Sequence, residues 1–571
     1  MFLGSRSRLR TAVIAAAVGA GVLTAATPAA AAPAAGTRAY LVITAPNDTA
    51  GAKTAITSNN GTVFSSYDAI GVVVAHSGAT DFASRMRTVA GVQKVGATRT
   101  SDVPAEAANP AIPPAPTQDP VSPDEPVRSD MSQIGADKAW AINPGSPNVT
   151  VGILDTGVDD LHDDIKPNFD AADSASCAYG KLDTRAGAWR DIDQHGTHVA
   201  GTVAAAKNGH GVVGVAPGVK IASVRVAEPN TDKFFFAENT ICAMVFAGDH
   251  GFAVTNNSYY SDPWLFNCPD NADQDAILEG IKRAVAYAEG KGVLTVAAAG
   301  NENYNLANKT RDTTSPNDST PVQRTVTNSC LSMPTEAPGV VIVSSIGSTN
   351  RKSSFSNYGT DKINVAAPGE AVYSTVPGGK FAPLQGTSMA SPHVTGVAAL
   401  LKSTHPTATP AQLRQLLATQ ADDLSCTDSR CSGTTAKNNF FGEGRVDALE
   451  AVGTGTPGTS FENTADVTIP DNGPAVTSSI TVSGVTGNAP ATLKVGVDIV
   501  HTYRGDLVVE LIAPDGTAYS LSNKSGGSAD NIQQTFTVNA SSEVANGVWK
   551  LRVQDVAAQD TGYINSWKLT F

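Results

Sequence analysis

Basic clusters, cysteine pairs and long apolar runs are scarce in this 571-residue chain, and each scarcity excludes a class of protein. Charged side chains make up 16% of the residues and the net charge is −13, so there is no basic stripe for nucleic acid. The six cysteines include no Cys-x-x-Cys pair, which disfavours a metal cluster. Beyond the N-terminal region no apolar run reaches the length of a membrane span. We therefore expect an acidic soluble protein with no nucleic-acid partner and no organic cofactor.

The N-terminal region has the pattern of an export signal. Arg6, Arg8 and Arg10 precede an apolar run at 11–27, and an Ala-x-Ala-like region follows near Ala32. The apolar run is short and rich in alanine, which favours a cleaved signal peptide at 1–32 over a membrane anchor. We expect a secreted, extracellular protein that has no membrane partner after the signal is removed.

An even number of cysteines in an exported chain is typical of a protein with disulfide bonds. Cys426 and Cys431 flank a four-residue polar loop and are the pair that we predict. The other cysteines allow three connectivities, which the sequence does not distinguish: Cys177, Cys242, Cys268 and Cys330.

Ser388 has the surroundings of a nucleophile. It lies in the run Gly-Thr-Ser-Met-Ala-Ser-Pro-His-Val (386–394), at the start of an Ala/Val/Leu-rich stretch that predicts a helix. The unpaired amides and the positive dipole end of a helix's first turn favour a developing oxyanion. A serine at such a place is most often only a helix N-cap. Its assignment as a nucleophile therefore depends on the segments that accompany it.

Asp155 and His195 supply the partners that a serine nucleophile needs. Asp155 ends the apolar strand Thr-Val-Gly-Ile-Leu-Asp (150–155), where a carboxylate can orient an imidazole and stabilise its cation. His195 opens a small-residue helix in His-Gly-Thr-His-Val-Ala-Gly (195–201). Either residue alone is more often a turn former or an ordinary histidine. The order Asp155, His195, Ser388 with all three contexts indicates catalysis.

These segments, together with Thr-Val-Ala-Ala-Ala-Gly-Asn-Glu (295–302), resemble the subtilisin family of serine proteases, whose chain order is Asp, His, Ser. The resemblance covers about residues 131–455. It implies that Asp155, His195 and Ser388 are the catalytic triad and that Asn301 binds the oxyanion. It also implies two extended substrate-binding walls, Val224–Ala227 and Asn257–Tyr260. The substrate-binding residues that we predict are Val226, Ser258, Tyr259, Tyr260, Ala298 and Gly300.

The chain departs from the family pattern at two places near the substrate groove. Tyr260 occupies a position usually held by glycine, and the segment Asn303–Ser332 is longer than in simple members. Both departures touch the rim of the primary specificity pocket, so the preferred cleavage residue stays open.

The resemblance also implies a structural calcium ion. Asp164 aligns by motif spacing with a calcium ligand of the family, and Asn208 lies in the loop that usually wraps the ion. Lys207 places a positive charge in the same loop, so a solvated acidic turn is the alternative.

The catalytic part is expected to be an α/β domain. Short apolar strands alternate with helices, which predicts a parallel sheet with helices on both faces and functional residues at the carboxyl ends of the strands. A last helix is expected within Asp447–Val452. Examples of the predicted strands are Val149–Leu154, Ile221–Val226, Val293–Ala298, Val340–Ser344 and Ile363–Ala366.

The segment 38–100 precedes this domain and has a β-α-β-β-α-β pattern. It is similar to the family's inhibitory propeptide, an α+β ferredoxin-like intramolecular chaperone. Residues 101–130 are rich in proline and alanine and predict an exposed linker that a protease can cut. We expect maturation between about Thr98 and Arg128.

The C-terminal part, 459–571, predicts an all-β sandwich. The stretches His-Thr-Tyr-Arg-Gly-Asp-Leu (501–507) and Gly-Val-Trp-Lys-Leu-Arg-Val (547–553), followed by Trp567, resemble the P domain of proprotein convertases, a jelly-roll module. The predicted strands are Ser479–Val482, Leu493–Ile499, Asp506–Ile512, Gln534–Val538, Gly547–Val553 and Gly562–Thr570.

We therefore predict a monomeric, secreted serine endopeptidase of broad specificity that cuts proteins or peptides and is made as a self-processing zymogen, with its own propeptide as inhibitor. The P domain raises an alternative, a kexin-like processing protease that cuts after basic residues. The residues after Ser388 and Asn301 are those of subtilisins and favour the first interpretation. A binding protein on an inactive protease scaffold is disfavoured because all four catalytic residues are present. A non-peptidase hydrolase is disfavoured because Ser388 lacks a Gly-x-Ser-x-Gly motif.

Overall fold

The structure is a computed structural model that describes residues 36–229, 232–426, 428–453, 460–485 and 487–571. The predicted signal peptide at 1–32 lies outside the described residues, as do residues 454–459 around the expected start of the C-terminal domain. No helix among the described residues is long and apolar enough to cross a membrane.

The first described segment forms a four-stranded antiparallel sheet with two helices, in strand order β2-β3-β1-β4. This confirms the β-α-β-β-α-β pattern. One face of the sheet packs on its own helices through Val42, Val73 and Phe82, and the other face is buried against the next domain. The elements are β1 (Arg38–Thr44), α1 (Ala50–Ser58), β2 (Gly61–Tyr67), β3 (Val72–Ser77), α2 (Phe82–Met86) and β4 (Val92–Ala97).

The linker follows the surface of the next domain in extended form. Its Gln118 side chain donates to the buried Asp159 carboxylate (2.9 Å), and the N–H of Asp119 donates to the carbonyl of Gly378 (2.8 Å). Arg128, at its end, is buried and donates to the carbonyls of Tyr373 and Val213. The linker is therefore tied to the domain that follows it.

A seven-stranded parallel sheet is the centre of the second domain, in the order β13-β12-β9-β8-β5-β7-β6. Its strands are β5 (Thr150–Asp155), β6 (Ala175–Ser176), β7 (Lys220–Arg225), β8 (Val254–Asn257), β9 (Leu294–Ala298), β12 (Val341–Ile346) and β13 (Val365–Pro368). Two short antiparallel hairpins accompany it: β10 (Arg311–Asp312) with β11 (Arg324–Thr325), and β14 (Val372–Val376) with β15 (Lys380–Leu384).

Helices cover both faces of this sheet, as the sequence predicts. Val151 and Ile153 of β5 belong to the core on one face, with α5 and α8, whereas Leu154 belongs to the core on the other, with α6 and α7. The helices are α3 (Ser129–Gln133), α4 (Ala136–Ile142), α5 (His195–Ala204), α6 (Ala237–Asp249), α7 (Ala272–Gly290), α8 (Thr387–Thr404), α9 (Pro410–Thr419) and α10 (Ala448–Val452).

Side-chain caps fix the starts of several helices. The Asn271 side chain accepts from the N–H groups of Asp273 and Gln274 at the start of α7. Thr409 and Gln412 form a reciprocal capping box at α9, with Pro410 in the first turn. Both caps satisfy backbone N–H groups that the first turn of a helix leaves unpaired.

The C-terminal domain consists of two antiparallel sheets around a core that contains the buried Trp549 and Trp567. One sheet has the order β16-β24-β19-β22, with β17 beside β24, and the other has the order β18-β23-β20-β21. The predicted all-β sandwich is confirmed. Its strands are β16 (Ser460–Asn463), β17 (Val467–Ile469), β18 (Val476–Val482), β19 (Leu493–His501), β20 (Leu507–Ile512), β21 (Ala518–Asn523), β22 (Ile532–Val538), β23 (Gly547–Asp555) and β24 (Gly562–Thr570).

Most of the predicted strands agree with the structure to within one or two residues at each end, but three differences stand out. The core strands singled out from the sequence did not include β8, which lies in the middle of the parallel sheet. The predicted extended wall Asn257–Tyr260 leaves the sheet after its first residue, because β8 ends at Asn257. Strands β16, β17 and β21 of the C-terminal domain were also missed; β21 is largely polar and lies at a sheet edge.

Candidate active site

The predicted catalytic residues meet at the carboxyl edge of the parallel sheet. Asp155 is the last residue of β5, and Asn301 lies three residues beyond the end of β9. His195 is the first residue of α5, and Ser388 is the second residue of α8. His195, Asn301 and Ser388 line one cavity of about 480 Å³, and Asp155 lies directly behind His195.

Asp155 and His195 are joined by a short hydrogen bond. The Nδ1 atom of His195 lies 2.8 Å from Oδ1 of Asp155, which also accepts the N–H of Thr156 (2.7 Å). The Asp155 carboxylate is fully buried, and its Oδ2 has no hydrogen-bond partner among the described residues. With Asp155 ionised, Nδ1 carries the proton and Nε2 is left as the acceptor.

Ser388 lies at the start of α8, and its hydroxyl donates to the backbone carbonyl of Ser258 (3.2 Å). The Ser258 hydroxyl in turn donates to the backbone carbonyl of Ser388 (3.0 Å). These two hydrogen bonds fix the start of α8 against the residue that follows β8. The Ser388 side chain is partly exposed to the cavity that His195 also lines. A rotation about its Cα–Cβ bond is enough to redirect the hydroxyl.

The Asn301 amide is held by the residue that precedes the serine. Its Oδ1 accepts both the N–H and the hydroxyl of Thr387 (2.9 Å each), and the Thr387 hydroxyl accepts the N–H of Gly300 (3.0 Å). Because Oδ1 is engaged, the amide N–H₂ group is the part of Asn301 that remains for a ligand. Gly300 has φ +99°, and a Cβ there would lie 2.4 Å from Nδ2 of Asn357, so only glycine fits.

Nearby charges act on the His195 ring. Burial disfavours the charged imidazole, but the Asp155 carboxylate, followed by Asp191 and Asp193, outweighs it and raises the His195 pKa. Burial also raises the pKa of Asp191 to about 6, although this carboxylate accepts from Thr156 and Thr197.

A family model described as Subtilase family matches residues 146–444, which is more than half of the chain. The chain belongs to the subtilase family. A second model, the Proprotein convertase P-domain, matches residues 490–571 of this subtilase. It is therefore a subtilisin-type serine protease with a C-terminal P domain, as the motifs predicted.

Known relatives agree with this assignment. The subtilase is 30% identical over 509 residues to the Extracellular basic protease of Dichelobacter nodosus, which covers 77% of this chain and 75% of the relative. It is 65% identical over 154 residues to the Leupeptin-inactivating enzyme 1 of Streptomyces exfoliatus, which covers 26% of this chain and only 35% of that relative.

A solved structure shares the fold. The epidermin leader peptide processing serine protease of Staphylococcus aureus superimposes with a TM-score of 0.58 at 21% identity, over 73% of this chain and 98% of that one. Membership of the family implies peptide substrates and inhibition by a propeptide.

The predicted substrate-binding residues do not all reach the cavity of the subtilase. Five of the six line it: Ser258, Tyr259, Tyr260, Ala298 and Gly300. Val226 does not: it is fully buried. Its N–H donates to the carbonyl of Asp155 (2.8 Å) and its carbonyl accepts from Asn239 (3.0 Å). Both backbone groups of Val226 are thus engaged within the domain, and its role in substrate binding stays a prediction.

The two departures from the family pattern meet at the rim of the cavity. Asn317, from the long segment Asn303–Ser332, donates to the hydroxyl of Tyr260 (3.1 Å) and to the Asp262 carboxylate (2.7 Å). Burial raises the pKa of Asp262 to about 7. The disulfide Cys268–Cys330 ties this segment to Cys268, which precedes it in the chain, and the segment packs around Tyr260.

The predicted pair Cys426–Cys431 is bonded in the structure. For the other cysteines the structure selects one of the three connectivities that the sequence left open, Cys177–Cys242 and Cys268–Cys330.

Subtilisins commonly bind calcium, but the residues predicted for it here do not fit the ion as they are arranged. Asp164 is fully buried; its Oδ2 accepts the N–H of Val212 (2.8 Å), and its Oδ1 faces the amide N–H₂ of Asn208 (3.3 Å). Calcium takes about six to eight oxygen ligands, and the described residues contain no group of three or more acidic, histidine or cysteine side chains that could hold a metal. Calcium binding stays a prediction of the resemblance.

Several residues that line the cavity were missed by the sequence analysis. Thr387, which orients Asn301, lies inside the motif around Ser388 and could have been singled out. Phe234 and Phe235 belong to an aromatic run before α6, and Phe235 stacks on Tyr259 with 4.6 Å between the ring centroids. That run of three phenylalanines was a signal for an apolar wall.

Proposed function

We propose that this subtilase is a secreted endopeptidase that hydrolyses peptide bonds with Ser388 as its nucleophile, His195 as its base and Asp155 as the group that orients the base. The observation that carries the proposal is the 2.8 Å contact between Asp155 Oδ1 and His195 Nδ1, beside a cavity that contains Ser388 and Asn301.

The reaction follows from the positions of these groups. Ser388 Oγ attacks the scissile carbonyl carbon, and its proton passes to Nε2 of His195. The oxyanion that forms accepts from the Asn301 amide and from the backbone N–H of Ser388, at the positive end of α8. His195 then gives the proton to the leaving amine, and a water molecule repeats the sequence on the acyl-enzyme. The first step requires the Ser388 hydroxyl to turn away from the carbonyl of Ser258.

A phosphonofluoridate probe tests this assignment. We expect one covalent adduct, located on Ser388 by peptide mapping, and loss of peptide hydrolysis in proportion to labelling. Hydrolysis that persists in fully labelled enzyme, or an adduct on another residue, would contradict the proposal.

We further propose that the chain is secreted after removal of residues 1–32 and matures by a cut between about Thr98 and Arg128. The linker is exposed over much of its length, with Ile112 41% and Val127 55% exposed, whereas Arg128 is buried and stays with the catalytic domain. Intact mass and N-terminal sequencing of the secreted protein test this proposal: a mature N-terminus within the linker is expected.

The specificity that we propose is broad at the residue before the scissile bond. The alternative, a processing protease for basic residues, is favoured by one observation, the four acidic residues that line the cavity: Asp193, Asp232, Asp262 and Glu302. A peptide library with all amino acids at that position separates the two, since only the alternative requires cleavage to be confined to Arg and Lys.

The pH dependence of kcat/KM should reflect the protonation of His195. Only the neutral imidazole accepts the serine proton, so kcat/KM is expected to fall as the pH drops through the pKa of His195, which lies above its usual value. In the Asp193→Asn variant, which removes one of the carboxylates that raise this pKa, the acidic limb should move to lower pH. A pH–rate profile of both proteins checks this. If the acidic limb of kcat/KM stays at the same pH in the variant, the limb reports the titration of a group other than His195.

Asn301→Ala should lower kcat by about 10²–10³, with a small effect on KM, because the amide donates mainly to the developing oxyanion. The Asn301→Asp variant keeps the shape but loses the donor and should lose a similar factor. Asn308→Ala, at an exposed asparagine of the same loop, is the control and should keep its turnover. Unchanged turnover in both Asn301 variants would remove this residue from the oxyanion site.

A further inference from the structure

A buried cluster of charges joins the pro-segment (residues 38–100) to the catalytic domain. The Arg99 guanidinium donates twice to Glu228 (2.6 and 3.1 Å) and once to Glu238 (2.5 Å). The guanidinium carbon lies 3.7 Å from the centroid of the Phe236 ring. All three charged side chains are at most 2% exposed. The pocket is thus complementary to a guanidinium group. Its two carboxylates match the charge and the planar N–H donors, and the Phe236 ring stacks on the flat face.

Among the described residues, no Lys or Arg side chain of the catalytic domain forms an ion pair with either carboxylate. The other buried guanidinium nearby, Arg225, donates to the carbonyls of Ala188 and Ala227 instead. Within the described part of the chain, the Glu228 carboxylate has one further hydrogen bond, a long one of 3.4 Å from the Asn239 amide, and Oε2 of Glu238 has no hydrogen-bond partner. Without Arg99 the two carboxylates would lie side by side with no cation between them, an arrangement that favours capture of a cation.

The pocket lies beside the cavity of the active site. Phe236 follows Phe234 and Phe235, both of which line that cavity. The residues after Arg99 are held at the rim: the N–H groups of Thr100 and Ser101 donate to Asp318 (2.7 and 2.8 Å), the neighbour of Asn317. A peptide chain can therefore reach this pocket and the rim of the catalytic cavity at the same time.

We infer that Glu228, Glu238 and Phe236 form a subsite for an arginine side chain of the protein substrate, distant from the scissile bond, which Arg99 occupies until the pro-segment leaves. The inference rests on the proposed function, because it assigns a substrate preference to that site. A cut at any bond after Arg99 within the linker releases this arginine together with the pro-segment and opens the pocket. Arginine is favoured over lysine, whose ammonium lacks the planar fork that binds two carboxylates and stacks on a ring.

The test uses the mature secreted enzyme and a set of quenched fluorescent peptides of one sequence. A single arginine is moved through the positions on either side of the scissile bond, and citrulline, which has the same shape without the charge, replaces it in matched peptides. At one position, at least two residues from the bond, we expect kcat/KM to be about 100-fold higher with arginine than with citrulline, and higher than with lysine. Equal rates at every position overturn the inference.

Variants assign the preference to the pocket. In Glu228→Gln and Glu238→Gln enzymes the ratio of kcat/KM for the arginine and citrulline peptides should fall towards 1. The ratio does not depend on how much enzyme is active, so poor yields do not affect it. If either zymogen folds poorly, both changes are combined with Arg99→Gln, which removes all three charges of the cluster together. Asp183→Asn, outside the pocket, is the control and should keep the wild-type ratio; retention of that ratio by the pocket variants overturns the assignment.

The outcome separates this inference from the proposed function. Cleavage of the citrulline peptides together with labelling of Ser388 supports the protease assignment whatever the arginine preference. If no peptide is cleaved and Ser388 is not labelled, the proposed function fails and the inference fails with it.

Discussion

Replacing Ser388 by alanine is expected to lower kcat by about 10⁶, a factor taken over from serine proteases of this kind, because it removes the hydroxyl that attacks the scissile carbonyl. The fold should persist, since the lost hydroxyl makes a single hydrogen bond, to the carbonyl of Ser258. The measurement compares kcat on one peptide for equal amounts of folded protein. Contaminating wild-type enzyme is excluded by treatment with the phosphonofluoridate, which can label only the serine form.

The same variant decides how the pro-segment is removed. If the subtilase processes itself, secreted Ser388→Ala protein should keep residues 38–100, whereas the wild type should not, and intact mass distinguishes the two. Identical processing of both would transfer the maturation step to another protease without affecting the assignment of Ser388.

Ser391→Ala is the matched control on the same helix. The Ser391 hydroxyl is buried and donates to Oδ1 of Asn256 (2.8 Å), so its loss should cost about 0.5–1.5 kcal/mol in the free energy of unfolding. Turnover should stay close to that of the wild type. A loss comparable to that of Ser388→Ala would mean that the helix start, and not the Ser388 hydroxyl, determines the rate.

Asp155→Asn is the second large effect that we expect, about a 10⁴-fold fall in kcat. Oδ1 of Asp155 accepts from both the His195 ring and the N–H of Thr156. An amide oriented by Thr156 no longer stabilises the imidazolium, and an amide turned the other way selects the wrong tautomer of the ring. The affinity for a peptide inhibitor should change far less than kcat, because Asp155 does not line the cavity.

Two measurements separate an electrostatic effect from a loss of folding. Asp155→Asn also places an amide where Oδ2 lies buried without a partner, so its unfolding should be followed by denaturant titration. The pH–rate profile should lose the elevated pKa of His195. A folded variant with near wild-type kcat would contradict the proposed role of Asp155.

Local motifs were enough to predict the residues that the structure brings together at the carboxyl edge of the parallel sheet. Asp155, His195, Asn301 and Ser388 each lie where a strand ends or a helix begins, and small residues and glycine mark such places in the sequence. The parallel sheet could be predicted because β5, β7, β9 and β12 are apolar on both faces.

The central strand β8 could not be predicted because its residues are polar yet buried. Asn256 accepts from Ser391 and Thr395 and donates to Ser258, and Asn257 donates to the carbonyl of Val296. Hydrogen bonds to α8 and β9 replace the apolar contacts that a sequence pattern would show. Partners of this kind lie far apart in the chain and have no periodicity that reveals them.

The rim of the cavity and the Arg99 pocket were beyond prediction for a similar reason. Tyr260 and the long segment were recognised as unusual, but their contact through Asn317 depends on the closed fold. Glu228 and Glu238 look like ordinary charged residues in the sequence. What distinguishes them from solvent-exposed glutamates is their burial against Arg99, which lies more than a hundred positions earlier in the chain.

Release of the pro-segment, as proposed above, would be hard to reverse because both faces of its sheet are buried. Leu41, Ile43, Val72 and Val74 share a core with Ile277 and Ile281 of α7, so a released segment carries an apolar face into water. About 60 residues with only one remaining core are marginal as an isolated fold. A segment that unfolds after release becomes a substrate for the protease that it covered. Maturation would then behave as a one-way step, driven by destruction of the inhibitor.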